Sequence, residues 1–180
     1  MKVKHYAFFS QTGSEIAAIA EQTGQWPDKI ITNTRPSEKR TISSLLNGRE
    51  IIYLSNKPTV EEYLEVLGDE QCLITLHGWL RIVPPEIIEK YPSIFNGHPG
   101  LISSYPQLKG KDPQEKAYRT GLSVSGCVIH RVTAGVDEGP IVEEERVEIQ
   151  NLSLSQVYEE LHETSIRLWV KFFRMMSSAL

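Results

Sequence analysis

The residues of this 180-residue chain able to do acid–base and anion-stabilising chemistry cluster in its middle. Asn96-Gly97-His98-Pro99 leaves an apolar run, Ile94–Asn96, that reads as a short buried strand. His98 is then expected at the carboxyl end of a strand, the edge where open α/β sheets bind ligands. Gly97 and Pro99 fix the backbone on either side of it. Asp137-Glu138-Gly139-Pro140 is a turn just ahead of a strand and can present a carboxylate rigidly. Between them Gly126-Cys127-Val128-Ile129-His130 reads as a strand carrying a second histidine, and Arg81 follows Trp79-Leu80. Each residue also has an ordinary structural reading: a turn histidine, a turn-forming aspartate, a packed core histidine, a solvated arginine. Their combination is what points to a site.

These residues need a scaffold, and the first half of the chain supplies a repeating one. Val3–Phe9, Lys29–Thr32, Glu50–Leu54 and Gln71–Leu76 read as strands. Between them lie helical stretches. Ser14–Gln22 has Ile16, Ala17, Ile19 and Ala20 on one face. Ser37–Leu46 is a weaker helix stopped by Asn47-Gly48. A third starts at Thr59, carries Val60, Tyr63, Leu64 and Leu67 at helical spacing, and stops at Gly68. Strand–helix alternation of this kind builds a parallel sheet with helices on both sides. The second half predicts short helices over Pro84–Lys90 and Asp112–Thr120 and long strands over Val124–Thr133 and Ile141–Ile149. A closing helix, capped by Ser153 or Ser155, carries Val157, Leu161, Leu168, Phe172 and Met176 on one side.

Composition narrows the class. With 40% hydrophobic and 23% charged residues the chain is neither disordered nor fibrous. A net charge of −4 gives no global field to gather phosphates, so nucleic acid is not an expected partner. No apolar run approaches the length of a membrane span. Cys72 and Cys127 lie in apolar runs, lack metal-ligand spacing, and are expected as buried free thiols. A soluble, cytoplasmic, single-domain chain covering 1–180 is expected.

Five ordered stretches carry a resemblance: Leu76-His77-Gly78-Trp79-Leu80-Arg81-Ile82, Phe95 to Ile102 around Asn96-Gly97-His98-Pro99, Tyr105-Pro106-x-Leu108-Lys109-Gly110, Gly126 to Val132, and Val136-Asp137-Glu138-Gly139-Pro140-Ile141. In order and spacing they resemble the motifs of the folate-dependent formyltransferases, most nearly the branch that formylates glycinamide ribonucleotide. The resemblance implies a Rossmann-like, three-layer α/β fold with a mostly parallel central sheet. It implies an acceptor- and phosphate-binding half over about 1–95 and a folate-binding, catalytic half over about 96–180. The implied reaction is attack of a primary amine on the formyl carbon of 10-formyltetrahydrofolate, through a tetrahedral intermediate, without a metal. A different small amine, such as an amino sugar or a modified nucleotide, or an inactive folate-binding module, are the alternatives. A monomer or homodimer working on small molecules is implied, and at this length the extra domains of the larger family members are not expected.

By the same resemblance Asn96, His98 and Asp137 are the catalytic residues. Asn96 offers an amide N–H to the oxyanion, and a protonated His98 offers a charge-assisted one. Asp137 favours the imidazolium and moves the amine proton, through a water. His130 is expected to orient the Asp137 loop. Leu80, Arg81, Ile82 and Val83 form one wall of the pterin slot, and Thr133, Ala134 and Val136 the other. Thr12, Gly13, Ser14, Gly78 and Glu163 are implied on the acceptor side, with Lys57 a candidate basic partner. The family's phosphate loop reads Gly-x-Gly-Ser-Asn; here Glu15 replaces the asparagine. A carboxylate facing a phosphate there is repulsive, so Glu15 is expected to face solvent. Gly100 and Ser103 stand where the family has other residues, and a looser loop is expected after His98.

Overall fold

The computed structural model describes residues 3–178, and they divide into two compact units, up to Asn96 and from Gly97 onward. The first is built from β1 (Lys4–Phe9), α1 (Ser14–Thr23), β2 (Lys29–Thr32), α2 (Ser43–Leu46), β3 (Ile51–Tyr53), α3 (Val60–Leu67), β4 (Cys72–His77) and α4 (Pro85–Lys90). β1 pairs in parallel with both β2 and β4, and β2 with β3, as strand–helix alternation requires. Ile16, Ala17, Ile19 and Ala20 are all buried on α1, and Ile16 and Ala17 pack with Ala7, Phe9, Ile30 and Leu45. Thr59 caps α3: its hydroxyl accepts from the Glu62 N–H while the Glu62 carboxylate accepts from the Thr59 N–H. The buried face of α3 is Tyr63, Val66 and Leu67, with Val60 and Leu64 only half-buried. A second aromatic layer forms where Trp79 stands edge-on to Phe8 and donates its indole N–H to Tyr63 at 3.1 Å.

The expected helix over Ser37–Leu46 does not form as one piece. It is a single 3-10 turn, Pro36–Glu38, followed by Lys39 at φ 49° and, later, the four residues of α2. A left-handed residue cannot continue a right-handed helix, so the stretch breaks there.

β5 (Ile94–His98) leads into the second unit, which holds α5 (Pro113–Arg119), β6 (Val124–Arg131), β7 (Ile141–Glu148) and α6 (Leu154–Ser178). The strands form a seven-stranded, mostly parallel sheet in the order β3-β2-β1-β4-β5-β6-β7, with β6 and β7 antiparallel. The register of the β6–β7 pair shifts between Ile129 and His130. β7 alternates half-buried with exposed residues; Glu143 pairs with Lys171 of α6 at 2.7 Å and Glu145 with Arg167 at 3.0 Å. Ser153, not Ser155, caps α6: its hydroxyl accepts from the Gln156 N–H at 3.3 Å. Val157, Leu161, Leu168 and Phe172 are buried as expected, whereas Met176 is exposed near the helix end. Cys72 and Cys127 are free and buried, and burial pushes the Cys72 thiol up to about 11. Among the described residues no helix is long and apolar enough to cross a membrane.

Candidate active site

Asn96 and His98 lie two residues apart on β5, so strand geometry sends their side chains to the same face. His98 is the last residue of the strand rather than part of the turn after it. Its backbone is fixed by close packing on both sides. A Cβ on Gly97 would come within 2.6 Å of the Trp169 indole nitrogen. One on Gly100 would lie 2.8 Å from Pro113 and 3.2 Å from the His98 ring. The loop after His98 is therefore tightly packed, and the looser loop expected from Gly100 is not found.

The buried imidazole of His98 has an acceptor at each nitrogen. Nε2 donates to the Leu108 carbonyl at 2.8 Å, and Nδ1 lies 3.4 Å from Oδ2 of Asp137. A carbonyl only accepts, so the Nε2 proton is permanent and Nδ1 is the nitrogen that can gain or lose one. Burial holds the imidazole below its ordinary value and outweighs the opposing pull of Asp137 and the Leu108 carbonyl; the neighbouring His130 and Lys116 charges act with burial. Burial thus works against the standing imidazolium that the resemblance implies, while Asp137 works for it.

Asp137 sits in the loop between β6 and β7 with its backbone at φ 53°, a left-handed conformation aspartate tolerates better than most residues. Gly139 makes the loop possible: a Cβ there would fall 1.6 Å from the Arg131 carbonyl oxygen. The Arg131 N–H, donating to Pro140 O at 2.9 Å, closes the same turn. The carboxylate accepts from the Gly110 N–H at 2.8 Å through Oδ2, and its Oδ1 lies 3.3 Å from His130 Nε2. Burial works to raise this carboxyl, but the His130 hydrogen bond, the His98 charge and the Gly110 N–H together hold it below the ordinary carboxylate value. His130 donates through Nδ1 to the Arg131 carbonyl at 3.0 Å, so its ring is anchored to the base of the loop that it helps hold. The backbone contributions of Leu108 and Gly110 carry no side-chain signal in the sequence and were legible only as part of a motif.

The remaining predicted residues fall as follows. In the first unit Leu80 and Ile82 are exposed, at 58% and 74%, while Val83 is buried in the core. The Arg81 guanidinium is committed to Asn56, binding its carbonyl at 2.6 Å and its side chain at 2.7 Å. In the second unit Ala134 and Val136 are exposed, Thr133 is half-buried, and Glu163 is exposed on α6. Among the described residues, no group of three or more histidine, cysteine, aspartate and glutamate side chains is arranged to hold a metal ion.

At the acceptor end of the first unit, Gly13 precedes α1 at φ 73°, and a Cβ there would also strike Leu45 at 2.2 Å. The helix start has no side-chain cap at that position. Thr12 Oγ1 accepts from the Ser14 N–H at 3.3 Å and donates to Ser14 Oγ at 3.1 Å. Gly78, at φ 66°, accepts the Ser10 N–H through its carbonyl at 3.2 Å, tying the end of β1 to the end of β4. Glu15 does not face solvent as expected. Its carboxylate is mostly covered and accepts from His77 Nδ1 at 2.8 Å. His77 stands in the first of the five motif stretches but has no role in the sequence reading; its signal is a histidine ending a strand whose other residues are apolar but for Thr75.

The family model described as Formyl transferase matches residues 7–172. The trifunctional purine biosynthetic protein adenosine-3 of Homo sapiens is 34% identical over 162 residues, covering 83% of this chain and 16% of that protein. The phosphoribosylglycinamide formyltransferase of Bacillus subtilis is 32% identical over 92 residues, half of this chain and 46% of its own. The crystal structure of glycinamide ribonucleotide transformylase 1 from Geobacillus kaustophilus superposes with a TM-score of 0.81 at 27% identity, covering 97% of this chain and 99% of that one. The chain spans 27%, 55% and 46% of the length of three bacterial relatives it matches.

Proposed function

The chain belongs to the formyl transferase family, and from that premise we propose that it transfers the formyl group of 10-formyltetrahydrofolate to the primary amine of glycinamide ribonucleotide. The observation that carries the reading is the buried His98–Asp137–His130 cluster, with backbone groups of Leu108 and Gly110 holding His98 and Asp137. The amine lone pair attacks the formyl carbon, and the C=O electrons move to oxygen. The Asn96 amide N–H stabilises that oxyanion, and so does His98 once Nδ1 carries a proton. The ionised Asp137 stabilises that proton and, through a water, passes the amine proton towards the folate nitrogen as the carbon–nitrogen bond to folate breaks. Products are the formamide and tetrahydrofolate. The exposed Leu80 and Ile82 supply apolar surface of the kind a flat pterin covers.

The acceptor reading leans on the start of α1 behind Gly13, where backbone amides beyond the Ser14 N–H already bound to Thr12 suit a phosphate. The alternative, an unphosphorylated amine such as an amino sugar, is favoured by the carboxylate of Glu15 in the first turn of the same helix. A formyl-transfer assay with 10-formyltetrahydrofolate and a panel of amines separates them. Preferred use of glycinamide ribonucleotide is the expected result. Preference for an unphosphorylated amine overturns the acceptor, and absence of transfer to any amine overturns the activity.

A further inference from the structure

We propose that His77 is a positioning residue for the acceptor: it holds the Glu15 carboxylate on β4, so that the start of α1 stays open to the acceptor phosphate. The inference rests on the acceptor reading above and extends it to residues outside the catalytic cluster.

β4 is buried along its whole length, and Cys72, Leu73, Ile74 and Leu76 suit that position. Thr75 and His77 do not, because a buried polar group without a partner is costly. Here the polar groups form one continuous chain. The Glu15 carboxylate accepts from His77 Nδ1 at 2.8 Å, and His77 Nε2 lies 2.8 Å from the Thr75 hydroxyl. On its other side that hydroxyl lies 2.8 Å from Nε2 of His5 on β1, whose N–H is bound by Asp28. A hydroxyl has one proton, so it donates to one histidine and accepts from the other, and the row has a direction. The His77 side chain is 2% exposed, and that of Glu15 18%.

The chain gives Glu15 a fixed place. Glu15 is the second residue of α1, where backbone N–H groups and the helix dipole favour any anion. An untethered carboxylate in that turn competes with an incoming phosphate for the same field and repels it. With His77 holding it, the carboxylate has a hydrogen-bonding partner at the end of β4 and is not free to move in that turn. Glu15 and His77 then act as one unit, each explaining why the other is tolerated.

The test compares Michaelis constants for glycinamide ribonucleotide. His77→Ala frees Glu15 and should raise that constant by roughly tenfold, the size of a like-charge contact at the protein surface, with turnover number and the constant for the formyl donor unchanged. Adding Glu15→Gln to His77→Ala should bring it back to within about threefold of the wild type. A purely structural role for His77 predicts no such rescue. Thr75→Val, which keeps the volume and removes only the hydroxyl, should act in the same direction by a smaller factor, and it decides the matter if His77→Ala fails to fold. An unchanged constant in folded His77→Ala, an unchanged one in Thr75→Val, or a double variant that stays impaired overturns the proposal while leaving the acceptor reading standing. A wild-type protein that does not use glycinamide ribonucleotide removes both.

Discussion

Replacing Asp137 by Asn removes one charge and one acceptor with almost no change of shape. The two carboxylate oxygens face three nitrogens: Gly110 N at 2.8 Å, His130 Nε2 at 3.3 Å and His98 Nδ1 at 3.4 Å. An asparagine has one carbonyl oxygen and one NH2, which cannot serve all three. Turned so that the oxygen keeps the Gly110 N–H, its NH2 meets His130; turned the other way, it meets the Gly110 N–H. The second orientation leaves the Gly110 N–H without its acceptor, at a cost of about 1–3 kcal/mol in stability. The chemical loss is larger. Asp137 opposes burial at His98 more than the Leu108 carbonyl does, so without it the His98 midpoint falls further below its ordinary value and the Nδ1 proton needed at the oxyanion becomes rarer. Loss of this charge together with the proton shuttle should lower the single-turnover rate by roughly 10²–10⁴. Rapid-quench formyl transfer measures the rate, and NMR titration of the His98 ring proton measures the midpoint. An Asp137→Asn protein with wild-type rate and an unmoved His98 midpoint would refute the reasoning.

His98→Ala should lower the turnover number by roughly 10²–10³, the range for one lost oxyanion donor, with donor binding measured by fluorescence little changed; near-normal turnover removes His98 from the mechanism. Because the folded His98 binds its proton less readily than the unfolded chain, stability should rise with pH from the lowered midpoint up to about 6.5 and level off above it. Thermal melts from pH 5 to 8 check this, and His98→Gln should flatten that segment; the Asp137 contribution, present above the ordinary carboxylate value, is lost only at lower pH. Gly139→Ala should disrupt the Asp137 loop, since its Cβ lands on the Arg131 carbonyl, costing about 3 kcal/mol or more by overpacking; an unchanged melting temperature counts against the loop geometry described above.

The parallel frame was legible because strand and helix periodicities are long-range patterns written in side chains. Buried faces such as Ile16, Ala17, Ile19 and Ala20 follow from spacing alone. The strand assigned to Ile94–Asn96 was short by two residues, because Gly97 and His98 have little strand propensity and are held there by packing on Trp169 and by the bond to Leu108. The helix expected after Ser37 failed on one backbone angle, that of Lys39, which side-chain pattern does not encode. His98, Asp137 and His130 were found through motif order, and the structure brings them into one cluster. Its electrical state was not legible, since it depends on how deeply His98 is buried. Glu15 was singled out as a departure, yet its partner lay 62 positions away, beyond the reach of any local pattern.

The acidic strand β7 has a bearing on how the molecule behaves at high concentration. It ends the sheet order, so among the described residues one side of its backbone has no neighbouring strand, and such a rim can recruit a second chain into cross-strand aggregates. The run Glu143-Glu144-Glu145-Arg146 answers that hazard by charge. Glu143 and Glu145 are held by Lys171 and Arg167, and Glu144 accepts from the Ser103 hydroxyl at 2.5 Å. Charged side chains of both signs along a rim make it a poor template for another strand, and salt weakens the pairings between them.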